Sequence, residues 1–261
     1  MSEIVGRDRE TAAALPASLT ARLRELTPAR VGLGRTGVSQ QLRHQLDFQR
    51  AHAQARDAVH ARLEAAALAA SLAEITGYSV LRLQSAAMNR PTYLQRPDLG
   101  RKLDETGRSL LANLARPGPW NLALIVADGL SALAVERHAA PLVRELLPRL
   151  EDWRIAPVCV VEQGRVAIGD EIGMALGAQV SVVLIGERPG LSSPDSLGAY
   201  ITWEPRLGRT DAERGCISNI RAEGLSYGQA AAQFVLILQE ARRTQLTGVA
   251  RKAASNILEE G

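Results

Sequence analysis

The chain has 261 residues, 46% of them hydrophobic, and a formal net charge of +3, which suits one large or two modest globular domains and excludes intrinsic disorder. Two cysteines, Cys159 and Cys216, give neither a disulfide framework nor a Cys-x-x-Cys metal knuckle, and no apolar run approaches the ~20 residues of a membrane helix. Of the 31 basic residues only Lys102 and Lys252 are lysines, aromatics stand at 3%, and no basic stripe is interleaved with stacking rings, so nucleic acid is not an expected partner.

The N-terminus, Met-Ser-Glu-Ile-Val-Gly-Arg, lacks the apolar core of a secretion signal, and a soluble intracellular protein is expected. Residues 1–30 read as a polar tail with one short helix, in which Leu19, Leu23 and Leu26 recur at helical spacing and Ser18 serves as N-cap; it is either a docking peptide or an ordinary terminal helix. Residues 47–74 hold no glycine or proline and predict one long helix. Its stripe of Phe48, Ala51, Ala55, Val59, Leu63 and Ala66 is dominated by small side chains, which predicts close approach to a neighbour. Tyr78, Val80, Leu81 and Leu83 suggest a strand or a short irregular piece. Asn89–Arg101, with two prolines and a glycine, predicts an ordered loop before a helix over 102–114. A boundary is expected across 100–118, giving a tail over 1–30, a helical region over 31–115 and an α/β domain over 116–261.

The second half alternates strand and helix. Buried strands are expected at Asn121–Ala127, Ala156–Val161 and Val180–Ile185, and another at Leu197–Trp203. Helices are expected at Ser131–Leu150, kinked at Pro141, at Asp170–Leu176 and at Ser226–Gln245. This order predicts an α/β fold: a helical N-terminal region followed by a Rossmann-like three-layer domain with a mostly parallel sheet.

Gly32-Leu33-Gly34-Arg35-Thr36-Gly37 matches the GxGxxG dinucleotide pattern, but no buried strand precedes it and no second strand end places Asp57. A free-standing α/β oxidoreductase or transferase using a nucleotide there is the alternative reading; a glycine-rich loop leading into the long helix is the other. His52, Arg56 and His60 stack along that helix, but the central arginine repels a cation, which points to a polar face rather than a zinc site. Cys159 belongs to an apolar strand. A ligand site is expected instead where strands end. Asp128-Gly129, Glu162-Gln163-Gly164, Gly186–Ser193 and Arg214–Asn219 each set glycine, for close backbone approach, beside a carboxylate, amide, hydroxyl or thiol.

Longer stretches carry a resemblance. They are Asp47-Phe48, Ala51-His52-Ala53, Ala55-Arg56-Asp57-Ala58-Val59-His60, Arg96-Pro97-Asp98-Leu99-Gly100-Arg101, Val126-Ala127-Asp128-Gly129-Leu130-Ser131, Leu184-Ile185-Gly186-Glu187-Arg188-Pro189-Gly190-Leu191 and Cys216-Ile217-Ser218-Asn219-Ile220. Through these the chain resembles the small (light) subunit of ethanolamine ammonia-lyase. The resemblance implies an adenosylcobalamin-dependent lyase converting ethanolamine to acetaldehyde and ammonia by a radical mechanism. It implies a partner large subunit, a TIM barrel that holds ethanolamine, in a hetero-dodecamer of six large and six small chains. The family's cofactor contacts carry over onto Val166, Glu187 and Cys216; no catalytic residue and no metal ligand carries over onto this chain. The hard chemistry then belongs to the cofactor, which the protein binds and orients. No histidine has an aspartate two residues before it, so the Asp-x-His-x-x-Gly signature of base replacement is missing and base-on binding is expected. The resemblance also implies a bacterial cytoplasmic location, with the N-terminal segment as a targeting element for a bacterial microcompartment.

Overall fold

The computed structural model describes residues 17–27, 29–114 and 120–249. The chain falls into two compact units, one ending at Ala53 and one beginning at Gln54. Residues 115–119, inside the expected boundary, lie outside the described residues.

In the first unit, α1 (Ala17–Leu26) includes Ser18, which therefore lies within the helix and is not its N-cap. Arg24 holds the following turn by donating to the carbonyls of Val31 (3.3 Å) and Gly32 (3.0 Å). β1 (Arg35–Thr36) and β2 (Ser39–Gln40) form a small antiparallel ribbon around Gly37, whose φ of +64° suits glycine. α2 (Leu42–His60) follows.

The single helix expected over 47–74 is in fact two, α2 and α3 (Ala65–Thr76), separated at 61–64. Nothing in that segment breaks a helix by itself. The break is held from outside: Arg90 Nε donates to the Val59 carbonyl at 2.6 Å, and Glu136 accepts the Glu64 N–H at 3.0 Å. Two backbone groups that a continuous helix would use internally are thus satisfied by side chains. Gly77, with φ +69°, closes α3 in the left-handed conformation.

The six strands of the main sheet are β3 (Val80–Gln84), β4 (Leu122–Ala127), β5 (Val158–Glu162), β6 (Val180–Gly186), β7 (Leu197–Trp203) and β8 (Gly215–Ile220). Their order is β3-β5-β4-β6-β7-β8; the first four run parallel, β7 is antiparallel to β6, and β8 is antiparallel to β7. The expected mostly parallel α/β sheet is therefore present. Arg214–Asn219, read as a strand-end loop, is largely the edge strand β8. Asn89–Arg101, read as a loop, contains α4 (Arg90–Gln95), with Asn89 accepting from Thr92 N and Pro91 in its first turn, and then a short 3-10 turn, Leu99–Arg101.

The remaining helices are α5 (Glu105–Ala112), α6 (Ala132–Leu146), α7 (Ile168–Leu176) and α8 (Tyr227–Thr244). α6 runs on through Pro141. α3, α6 and α8 bury Leu72, Leu142 and Phe234 against Leu124, Val160 and Val182 on one face of the sheet. α5 and α7 bury Leu111 and Ile172 against Ile125, Val161 and Val183 on the other. Each fully buried side chain of this size contributes roughly 1.5–3 kcal/mol relative to exposure. β4 is buried along its whole length, as its unbroken apolar run requires. A buried ion pair ties the second face to the sheet edge: Arg214 donates to both oxygens of Asp170 at 2.7 Å, and also to Thr202 Oγ1 at 2.9 Å.

Tight packing at the strand ends generates a stability test. A Cβ on Gly186 would stand 2.0 Å from the Ser131 carbonyl oxygen and 2.6 Å from that of Asp128, whereas one on Gly228, in the first turn of α8, meets nothing within 4 Å. Gly186→Ala should cost about 3 kcal/mol in urea unfolding. Gly228→Ala should instead gain about 0.5–1 kcal/mol.

Candidate functional site

Because β4, β5 and β6 are parallel, their carboxyl ends share one edge of the sheet. β8 also returns to that edge: it is antiparallel to β7, and its Ile220 pairs with Leu197 next to the end of β6. The four strand ends do converge, with Asn219 rather than Arg214 as the part of the last segment that arrives there.

The loops at this edge are pressed together. Gly129 adopts φ +57°, a Cβ there would lie 2.2 Å from the Gly186 carbonyl oxygen, and Leu130 N donates to that same oxygen at 2.9 Å. The glycines after β4 and at the end of β6 thus permit loop-on-loop contact, and both also line the cavity at this edge. Below them Asp128 is fully buried; its Oδ1 accepts the Gly164 N–H at 3.0 Å and its Oδ2 lies 3.5 Å from Arg90 Nη1. Arg90 Nη1 also donates to the Gly129 carbonyl at 2.8 Å. This network sets the path of the loop from Gln163 to Ala167.

That loop carries Arg165 and Val166. Tyr93 lies beneath it, donating its hydroxyl to the Gly164 carbonyl at 3.1 Å, with the Arg165 guanidinium 4.2 Å above its ring. Arg165 N also donates to the Gly100 carbonyl at 2.7 Å. Gly100 is required here, since a Cβ would lie 2.8 Å from Arg165 Cγ.

Val166 and Glu187 line one open cavity of 380 Å³, together with Leu130, Arg165, Arg188 and Tyr200. Glu187 Oε2 accepts from Ser196 Oγ and, at 3.3 Å, from Asn219 N, which steadies the left-handed turn at Asn219 (φ +61°). Its Oε1 has no hydrogen-bond partner among the described residues and can accept from a ligand. Cys216 does not line the cavity; it pairs in register with Tyr200, which does. Its exposed thiol lies 3.2 Å from Ser218 Oγ. Burial, and next the neighbouring thiol, push the Tyr200 phenol up to about 12. In β8, Ile217 and Ile220 are buried within the core that includes α8, while Cys216 and Ser218 point to the other, exposed face. The site is therefore an open flank of the sheet, bounded by the Arg165–Val166 loop and Glu187. It offers a carboxylate acceptor, a soft thiol, a phenol and an apolar side chain along an open surface.

Sequence reasoning missed Tyr93, Arg165 and Tyr200. Arg165 adjoins Val166 but is one of many scattered arginines; Tyr200 is found only from strand register; Tyr93 sits on the unexpected α4. Gly32–Gly37 is accounted for without a nucleotide. α1 precedes it, Gly37 makes the ribbon turn, and a Cβ on Gly32 would lie 2.3 Å from Thr20 Cγ2. Cys159 is buried in β5, which pushes its thiol up to about 12 and keeps it protonated.

A family model described as ethanolamine ammonia-lyase light chain matches residues 17–252. A protein of Pseudomonas fluorescens (strain Pf0-1) named ethanolamine ammonia-lyase small subunit is 57% identical over 239 residues, 90% of this chain and 87% of the relative. One of the same name from Ralstonia nicotianae is 56% identical over 239 residues, 90% and 88% of the two chains. A third, from Pseudomonas syringae pv. tomato, is 54% identical over 252 residues, 94% and 88%.

Asp128 makes the support of the site pH-dependent. Burial pushes its carboxyl up to about 6, against the pull of Arg90 and of the N–H groups of Gln163, Gly164 and Gly129. A carboxyl raised above its unfolded value of about 4 binds its proton more tightly in the folded state. Its contribution to stability is complete below about pH 4 and is lost as pH rises through about 6. The unfolding free energy of the wild type relative to Asp128→Asn should therefore fall between about pH 4 and 6.5. A flat difference across that window would contradict the assignment.

Proposed function

Starting from the ethanolamine ammonia-lyase light-chain family, to which this chain belongs, we propose that it forms one wall of an adenosylcobalamin site closed by a large subunit. The chain is a subunit of a lyase, and the name its relatives share implies a larger partner. When bound, adenosylcobalamin supplies the radical chemistry that turns ethanolamine into acetaldehyde and ammonia. The large subunit holds ethanolamine, in an assembly of six large and six small chains.

The observation that carries the reading is the meeting of Val166 and Glu187 on one open cavity, with Cys216 one strand pairing away. These side chains fit the edge of a corrin. Its peripheral amides are hydrogen-bond donors for Glu187 Oε1, and its apolar rim suits Val166. The Cys216 thiol is a small polarizable contact that permits close approach. Ser196 and Asn219 hold Glu187 in place from the side away from Oε1. The role of this chain is to bind and orient, and catalytic residues for the substrate belong to the partner. The protein acts in the bacterial cytoplasm. The N-terminal segment, of which α1 is the described part, directs it to a microcompartment where the host forms one. Among the described residues no helix is long and apolar enough to cross a membrane.

Acetaldehyde release from ethanolamine and adenosylcobalamin should require both this chain and its large subunit; equal turnover without this chain would refute the proposal. Glu187→Ala should raise the KM for adenosylcobalamin about tenfold, the effect of one lost charge-assisted hydrogen bond, with a smaller rise for Cys216→Ala. A fusion of residues 1–30 to a fluorescent protein should concentrate in compartments of cells that form them, and diffuse signal would refute targeting.

A further inference from the structure

A second cavity, of 440 Å³, adjoins the first and shares Arg165 and Val166 with it. Four arginines line it, Arg101, Arg165, Arg209 and Arg214, along with Pro97, Ala167, Thr210 and Asp211. Two of the four are neutralised. Arg214 is held by Asp170 at 2.7 Å and Asp211 at 3.4 Å, and Arg209 by Glu213 and, at 3.6 Å, by Glu204. The other two have no carboxylate partner among the described residues. Arg101 is exposed and forms no ion pair there. Arg165 is fixed by its stacking on Tyr93 and by a 3.4 Å bond from Nη2 to the Tyr93 carbonyl, yet its buried Nε has no hydrogen-bond partner. A pre-positioned guanidinium with an unused N–H, and a second free guanidinium, leave two positive charges uncompensated in the lining of one cavity. This is the donor arrangement that phosphate oxygens satisfy, by forked, charge-assisted hydrogen bonds.

We propose that this arginine cavity is a phosphodiester subsite, in which Arg101 and Arg165 take the phosphate of the nucleotide loop of a base-on cobalamin. The proposal rests on the cofactor reading above and extends it. The corrin edge belongs to the cavity of Val166 and Glu187, and the phosphate, which is tethered to the corrin periphery, belongs to the cavity on the other side of Val166. Arg209 and Arg214, held by their own carboxylates, complete the wall, and the net positive charge is that of Arg101 and Arg165. Gly100 is a positioning residue: only without a Cβ can Arg165 lie across Tyr93.

The test measures equilibrium binding of cyanocobalamin and of cyanocobinamide to the complex of both subunits. Cyanocobinamide keeps the corrin and lacks the nucleotide loop with its phosphate. Arg101→Ala should weaken cyanocobalamin about tenfold and leave cyanocobinamide unchanged, Arg165→Gln should weaken cyanocobalamin more than cyanocobinamide, and Arg101→Lys should restore most of the loss. Arg101 is exposed, so its replacement leaves the fold intact. If both variants weaken the two corrinoids equally, or weaken neither, the subsite is overturned. If inorganic phosphate binds the wild type without competing with cyanocobalamin, the assignment to the cofactor's phosphate is overturned. The parent reading fails by a different result, Glu187→Ala and Cys216→Ala leaving the affinity for both corrinoids unchanged.

Discussion

The buried guanidinium of Arg90 is the tie on which the site side of the fold depends. It reaches the Val59 carbonyl at the end of α2, the Gly129 carbonyl after β4, and the Asp128 carboxylate, which in turn receives the N–H of Gly164 after β5. β4 and β5 are the adjacent parallel strands whose following helices, α6 and α7, pack on opposite faces of the sheet. A crevice opens at such a point in doubly wound sheets and commonly receives the ligand. Here it is filled from within by Arg90 and Tyr93 of α4. The ligand surface moves outward, onto the loop that this filling supports. A buried ion pair of this kind adds little net stability over an apolar packing, but losing either partner strands the other charge.

The antiparallel end of the sheet does the complementary work. By doubling back, β7 and β8 extend the sheet beyond α7, and α8 covers them on one face only. The alternation of side chains in β8 then places Ile217 in the core and Cys216 outside. A fully parallel sheet would need a further crossover helix there, and that helix would cover the very flank that carries the thiol.

Much of this was legible in the residues. Unbroken apolar runs marked β4 and β6, and Leu197–Trp203 matched β7 end for end. The fold class and the use of strand ends followed from their alternation with helices. Other parts were not legible, because their causes are distant in sequence. Nothing local in Arg214–Ile220 says that it pairs with β7, since its exposed Cys216, Ser218 and Asn219 imitate a loop. The helix at Arg90–Gln95 was hidden by prolines, although Asn89 and Pro91 form an ordinary helix start. The roles of Val166, Glu187 and Cys216 came from resemblance, although Glu187 and Cys216 fall in segments that the strand-end pattern had already marked. Arg165 was invisible until stacking on Tyr93 set it apart from the other arginines.

The interruption between α2 and α3 has a wider consequence. The residues at 61–64 favour helix, and the groups that forbid it there are Arg90 and Glu136, 31 and 72 positions further along from the backbone atoms they engage. The instruction for the bend is therefore stored outside the segment that bends. A peptide of residues 42–76 would have no reason to reproduce it, and editing the bend itself leaves the cause in place. Changes at Arg90 or Glu136 would redraw a boundary between two helices without altering a single residue of either, so comparisons confined to the helices would miss the positions that define them.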